Sequence, residues 1–313
     1  MLAMLTSVQG SQDPQNQRDL VDYCASDEGI DTIVVAFLSS FGNGVFPSGY
    51  LGNCYIDENG NGNSGCQKVA SDIDSCKSMG KKIFLSIAGG GSNWELNSAA
   101  DARGVAYSLF NSFANPAYTS NSPRPLGDTF VDGWDMDFED NHNHEAENYL
   151  GDLVNALRGY FSNDPDNTYY ISGAPQCPIA DPNMGNSLME AQYDYLWIQF
   201  YNNNCAAREA VSDENNPYGN GQYNLADWPG YLAGGASANA KLYTGIPAAK
   251  KSADYPYFYI PTAYLGELLG QSEGVAGFNG FMIYDAGDSD IPQVDGCNYA
   301  QNVRRVLDTG DRC

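Results

Sequence analysis

Residues 131–140 read VDGWDMDFED, and five of the ten are carboxylic acids: Asp132, Asp135, Asp137, Glu139 and Asp140. Trp134, Met136 and Phe138 alternate with the inner acids. In a β-strand, alternate side chains share a face. Asp135, Asp137 and Glu139 would point one way, and Trp134, Met136 and Phe138 the other. An ordinary half-buried strand turns its charges to water. A strand of a parallel barrel has its outer face covered by helices as well. The apolar set can then pack outward, leaving the acids on the barrel axis and climbing toward the C-terminal rim, where barrel active sites sit.

Such a strand is hard to explain as architecture. Same-face residues lie roughly 6–7 Å apart along a strand. Like charges at that spacing, partly removed from water, oppose joint ionisation and raise at least one pKa. A carboxyl kept protonated near neutrality is what a general acid for a glycosidic oxygen requires. The competing reading, a solvated acidic edge strand, does not account for the bulky apolar partners.

The surrounding sequence repeats the pattern of a parallel α/β sheet. Short apolar runs occur at Thr32–Leu38, Lys82–Ala88, Gly133–Phe138, Tyr169–Gly173, Tyr195–Tyr201, Lys241–Ile246 and Gly280–Tyr284. Near-continuous apolar runs suit strands covered on both faces. Between them lie helical stripes, one through Val69, Ile73 and Cys76, another through Leu150, Leu153, Val154, Leu157 and Phe161. An eighth strand can come only from Leu2–Val8, so the expectation is one (β/α)8 barrel domain over residues 1–313 with an atypical or incomplete first strand. Asn59–Gly65 and Ala206–Gln222 read as polar surface loops.

Composition narrows the function. The chain carries 15 Lys plus Arg against 39 Asp plus Glu, a formal charge of −24. Nucleic-acid binding needs the opposite balance, and an anionic membrane surface would repel this chain. No apolar run approaches the ~20 residues that span a bilayer. The eight cysteines, with no CxxC pair, read as disulfides of an oxidising compartment before they read as metal ligands, and allow 105 pairings. No leader is evident in Met1–Val8. A metal reading through Asp140, His142, His144 and Glu145 matches no standard spacing, so no metal and no cofactor are expected.

The carboxylate strand also carries a family resemblance. VDGWDMDFE resembles the DxxDxDxE signature of glycoside hydrolase family 18, through Asp132, Asp135, Asp137 and Glu139. Ile83–Gly90 (IFLSIAGG) resembles that family's SxGG strand. Ala36–Gly44, Ser122–Gly133, Ser172–Pro178 and Tyr193–Cys205 resemble segments of its hevamine-like class III chitinases, in the expected order.

The resemblance implies a retaining, substrate-assisted mechanism in which the substrate's 2-acetamido oxygen is the nucleophile. Glu139 would be the acid and then the base. Asp137 would hold the acetamido N–H, Asp135 would share a proton with Asp137, and Tyr201 would bind the acetamido carbonyl. Gln199, Asn202, Gln176 and Tyr284 would contact sugar, while Asp132 and Trp134 would be structural. It implies the disulfides Cys24–Cys76, Cys54–Cys66 and Cys177–Cys205, leaving Cys297–Cys313. Two departures stand out: Tyr284 occupies the place of the family's pocket-floor Trp, and MLAMLTSVQG is a poor version of the family's first strand. The leading expectation is a secreted, monomeric endochitinase acting on chitin or N-acetylglucosamine oligosaccharides. An endo-β-N-acetylglucosaminidase of N-glycan cores and an inactive chitin-binding lectin are the alternatives.

Overall fold

The computed structural model describes residues 1–7, 18–26, 28–142, 145–212, 222–291 and 294–313. Eight parallel strands close into a barrel in sequential order: Leu2–Ser7, Thr32–Leu38, Lys82–Ala88, Gly133–Asp137, Tyr170–Gly173, Tyr195–Gln199, Lys241–Pro247 and Phe278–Tyr284. Helices such as Gly65–Ser78, Ala99–Phe113 and Glu145–Tyr160 cover its outside. The expected helical stripes are their buried faces: Val69, Ile73 and Cys76 on one, Leu150, Leu153, Val154 and Leu157 on the other. Phe161 falls just past its helix, in a 3-10 turn.

The first strand is complete enough to close the ring. Ala3 to Ser7 pair with Thr32 to Ala36, and Leu2 to Leu5 pair with Phe281 to Tyr284. Its sequence, LAMLTS, works because both faces are buried: Leu2 and Met4 join the layer under the helices, while Ala3 and Leu5 face the barrel interior. The incompleteness left open by the sequence is not realised. Val8 lies outside the described residues.

The fourth strand has the two faces its alternation predicts. Trp134 is fully buried outward, against Phe161, Tyr169 and Phe110. Phe138 packs edge-on to Trp94 at 4.8 Å. Asp132, before the strand, accepts the Ile83 backbone N–H at 2.8 Å and pairs with Lys77 at 3.3 Å. Below the acids the barrel is filled with rings: Phe84, Tyr195, Trp197 and Tyr243, with Trp197 and Tyr243 4.4 Å apart.

Disulfides join Cys24–Cys76, Cys54–Cys66, Cys177–Cys205 and Cys297–Cys313, the pairing the resemblance implied. After the second strand, Ser40–Gly42, Val45–Leu51 and Cys54–Ile56 form a small rim sheet with Asn93–Trp94.

Candidate active site

The three alternating acids sit at three depths. Asp135 is lowest and fully buried. Its two oxygens accept from the Ser172 hydroxyl at 2.6 Å and the Ser86 hydroxyl at 2.7 Å. Burial pushes its pKa up to about 6, opposed by those two hydroxyls. Both serines lie directly beside it in the ladders of the flanking strands, which explains why a buried carboxylate is tolerated there.

Asp137 is one step higher and also buried. Its pKa is raised well above the ordinary carboxylate range by burial first, then by the charges of Glu139 and Asp135. Glu139 is half-buried at the strand's end. Burial raises its pKa, the charges of Asp140 and Asp254 add to this, and hydrogen bonds from Gln199 and Asp137 oppose it. Two raised carboxyls sharing a hydrogen bond titrate as a pair, which retains one proton to higher pH than either acid alone. The shared proton expected between Asp135 and Asp137 has a different setting here: Asp137 is hydrogen-bonded to Glu139 and Gln199, and Asp135 acts on it through charge.

Gln199 ends the sixth strand facing this pair. Its amide nitrogen lies 3.1 Å from Asp137 Oδ1, 3.0 Å from Glu139 Oε1 and 3.1 Å from the Ala174 carbonyl. Three acceptors around one nitrogen fix which end of the amide is the donor. Expected as a sugar contact, Gln199 is first a brace for the two acids.

Glu139 lines two neighbouring spaces, which also share Gln199, Tyr201 and Tyr284. An inner recess of about 140 Å³ is lined by Asp137, Glu139, Gln199, Tyr201 and Tyr284, with Leu5, Phe37, Ala174, Met282 and Gly90. An outer cavity of about 570 Å³ is lined by Glu139, Gln176, Gln199, Tyr201, Asn202, Asn203, Tyr284 and the segment Lys251–Asp254. Seven of the eight expected site residues therefore converge, and Asp135 lies beneath them. Tyr201 and Tyr284 stack with ring centroids 6.0 Å apart. Burial holds the Tyr201 phenol well above its ordinary pKa, so it stays a neutral hydroxyl that can donate.

The polar wall is held by its own bonds. Asn202 has a left-handed backbone, φ 59°, and its amide oxygen accepts the Asp254 backbone N–H at 2.9 Å. The Gln176 side-chain oxygen Oε1 accepts from the Asn203 amide at 3.1 Å. Behind Tyr284, Asp285 caps the short helix Ala286–Ser289, and burial pushes its pKa up to about 7.

Several contributors escaped the sequence reading. Lys251, Ser252 and Asp254 carry no sequence signal of their own, and their place on the cavity depends on the seventh strand's exit. Gly90 leaves room for the acid, because a Cβ there would fall 2.6 Å from Glu139 Oε2. The serines holding Asp135 lie in the family-like stretches Ile83–Gly90 and Ser172–Pro178, where the sequence assigns them no part in binding that acid. Of the metal candidates, His142 stacks on Trp94 at 4.3 Å and Glu145 accepts the Leu96 backbone N–H at 2.7 Å. Among the described residues no group of acids, histidines and cysteines could hold a metal ion, and His144 lies outside them. Nor is any described helix long and apolar enough to cross a membrane.

The sequence profile of glycosyl hydrolases family 18 matches residues 7–255. Endochitinase 2 of Metarhizium anisopliae is 38% identical over 301 residues, covering 94% of this chain and 70% of that protein. Endochitinase A1 of Aspergillus fumigatus is 31% identical over 305 residues, covering 93% of this chain but 36% of that protein. Among solved structures, ICChI chitinase from Ipomoea carnea superposes with a TM-score of 0.73 at 28% identity, covering 92% of this chain and 96% of that one. A xylanase and α-amylase inhibitor protein from Scadoxus multiflorus reaches a TM-score of 0.75 at 23% identity, over 97% of both chains. That last likeness is one of fold alone.

Proposed function

The chain belongs to family 18 of the glycosyl hydrolases, and from that premise we propose that it is an endo-acting chitinase working by retaining, substrate-assisted hydrolysis. The observation that carries this reading is the position of Glu139: an acid with a raised pKa, braced by Gln199, between a small recess and a larger cavity. The names of the Metarhizium and Aspergillus relatives support chitin as the polymer. An inhibitor with the same fold cautions that fold alone does not assign activity. The assignment therefore rests on the acids.

In the first step Glu139 gives its proton to the glycosidic oxygen as the C1–O bond breaks. The acetamido oxygen of the same sugar bonds to C1, forming an oxazolinium ion. The single proton of the Asp137–Glu139 pair is the one that Glu139 passes to the glycosidic oxygen, so Asp137 is left a carboxylate that accepts the acetamido N–H and balances the positive ring. The Tyr201 hydroxyl orients the acetamido carbonyl from the opposite wall of the recess. Water then enters on the side of the departed sugar. Glu139, now a carboxylate, takes its proton while the oxygen attacks C1 and opens the ring, so the anomeric configuration is retained. Asp135 is a positioning residue, acting through its charge on Asp137. Tyr284, beside Tyr201, offers a flat apolar face to the reacting sugar. Four disulfides support an extracellular working place, and we propose that the enzyme acts there as a monomer.

The test is product analysis of the wild type and Glu139→Gln on chitin tetra- to hexasaccharides, with a high-mannose glycoprotein in parallel. Cleavage with retention at C1, lost in the variant, is the expected result. Release of glycan without cleavage of chitin oligosaccharides would overturn it. So would tight binding without turnover by the wild type.

A further inference from the structure

The outer cavity has a neighbour beyond Asn202 and Asn203. The same two residues form one side of a neighbouring hollow of about 550 Å³, whose far side is Tyr255, Pro256, Tyr257 and Phe258, with Glu209 at its edge. Tyr255 is 67% exposed, the most exposed large apolar side chain among the described residues. Its ring is propped by Phe258 at 6.4 Å, and Phe258 by Tyr257 at 5.2 Å. Tyr257 is anchored in turn by its hydroxyl on Glu209. The bond from the Asp254 backbone to Asn202 ties this aromatic segment to the cavity wall.

From these features we propose that the hollow is a leaving-side sugar site: Tyr255 is the platform for a pyranose beyond the one released at the cut. This rests on the chitinase reading above. Direction follows from the two spaces around Glu139. The recess holds Asp137 and Tyr201, the partners of the reacting acetamido group, so the sugar attacked at C1 sits over it. The sugar that leaves lies across Glu139, in the outer cavity. A chain continuing that way passes Asn202 and Asn203 and reaches Tyr255. The chemistry suits a neutral glycan. A tyrosine ring presents a flat apolar face to the C–H array of a pyranose and keeps a polar tip in water. The side chains of Asn203, Asn204 and Glu209 offer directional partners to hydroxyl and acetamido groups.

Cleavage of chitin tetra- and hexasaccharides by the wild type, Tyr255→Ala and Tyr255→Phe tests the assignment. Tyr255→Ala is expected to erase most of the kcat/KM advantage of the hexamer over the tetramer, roughly three- to tenfold for one stacked ring. It should also move the cut toward the reducing end, shortening the released fragment, and Tyr255→Phe should restore the wild-type pattern. An unchanged cutting pattern and length preference in a Tyr255→Ala protein with wild-type Tm would overturn the proposal while leaving the chitinase reading standing. A wild type that cuts neither oligosaccharide would instead overturn that reading, and this one with it.

Discussion

The lower and upper halves of the barrel interior are built on the same eight strands, yet they obey opposite rules. Below, Phe84, Tyr195, Trp197 and Tyr243 fill the space with rings. Above, Asp137, Glu139, Gln199 and Tyr201 surround open space. The lower half gains stability from apolar burial and close packing. The upper half holds two acids whose charged forms burial disfavours. Asp135 is the seam: a carboxylate buried at packing depth, made tolerable by two serine hydroxyls. The contrast teaches that one strand can serve stability and chemistry in turn, with a step of two residues deciding which.

Substitutions that separate rate from stability test this division. Glu139→Gln should lower kcat by on the order of 10⁴-fold while the thermal midpoint holds, read by oligosaccharide turnover and calorimetry. A comparable fall in the midpoint would mean that the acid also holds the rim together. In the lower half, Phe84→Ala should cost about 3–5 kcal/mol of stability in denaturant titration, with kcat of the surviving folded protein little altered.

Gly90→Ala probes the rim without touching a charge. A Cβ 2.6 Å from Glu139 Oε2 must push the carboxylate aside, and a displacement of about 1 Å can cost roughly 10²-fold in kcat. Unchanged kcat would show that the acid has slack. The seam yields the smallest effect. Burial raises Asp135 to about 6 and Asp285 to about 7, above the value near 3.9 expected unfolded. Between roughly pH 4 and 7 the native state then binds more protons than the unfolded one, so stability falls as pH rises through that window. Asp135→Asn should flatten the acidic part of that slope and raise stability at pH 7 by about 1–3 kcal/mol, at the expense of turnover. A thermal midpoint that climbs from pH 4 to 7 in the wild type would refute the assignment of these buried acids.

The strand positions and the carboxylate strand were legible because both rest on periodicity. Apolar runs located the strands to within a few residues, and the two-residue repeat at Asp135, Asp137 and Glu139 set their common face. Even the first strand follows the rule once both faces of LAMLTS are counted. What escaped depends on contacts between segments far apart in sequence. Gln199 sits on the correct face, but its preference for the acids over open space depends on register with Ala174 on the neighbouring fifth strand and with Glu139 at the end of the fourth. Gly90 matters only through a side chain 49 positions later. Lys251 and Asp254 have no periodicity, because a loop's position is set by the strand ends that carry it.

Cys177 and Cys205 flank the cavity's polar wall, with Gln176 beside one and Asn203 close to the other. The bridge turns the exits of the fifth and sixth strands into one covalent ring, so these two exits cannot swing apart as separate flaps. In mechanical terms the cleft has a fixed jaw. Beside it, Lys251–Asp254 leans on that jaw through the backbone bond to Asn202, so the loop after the seventh strand is coupled to the bridged exits.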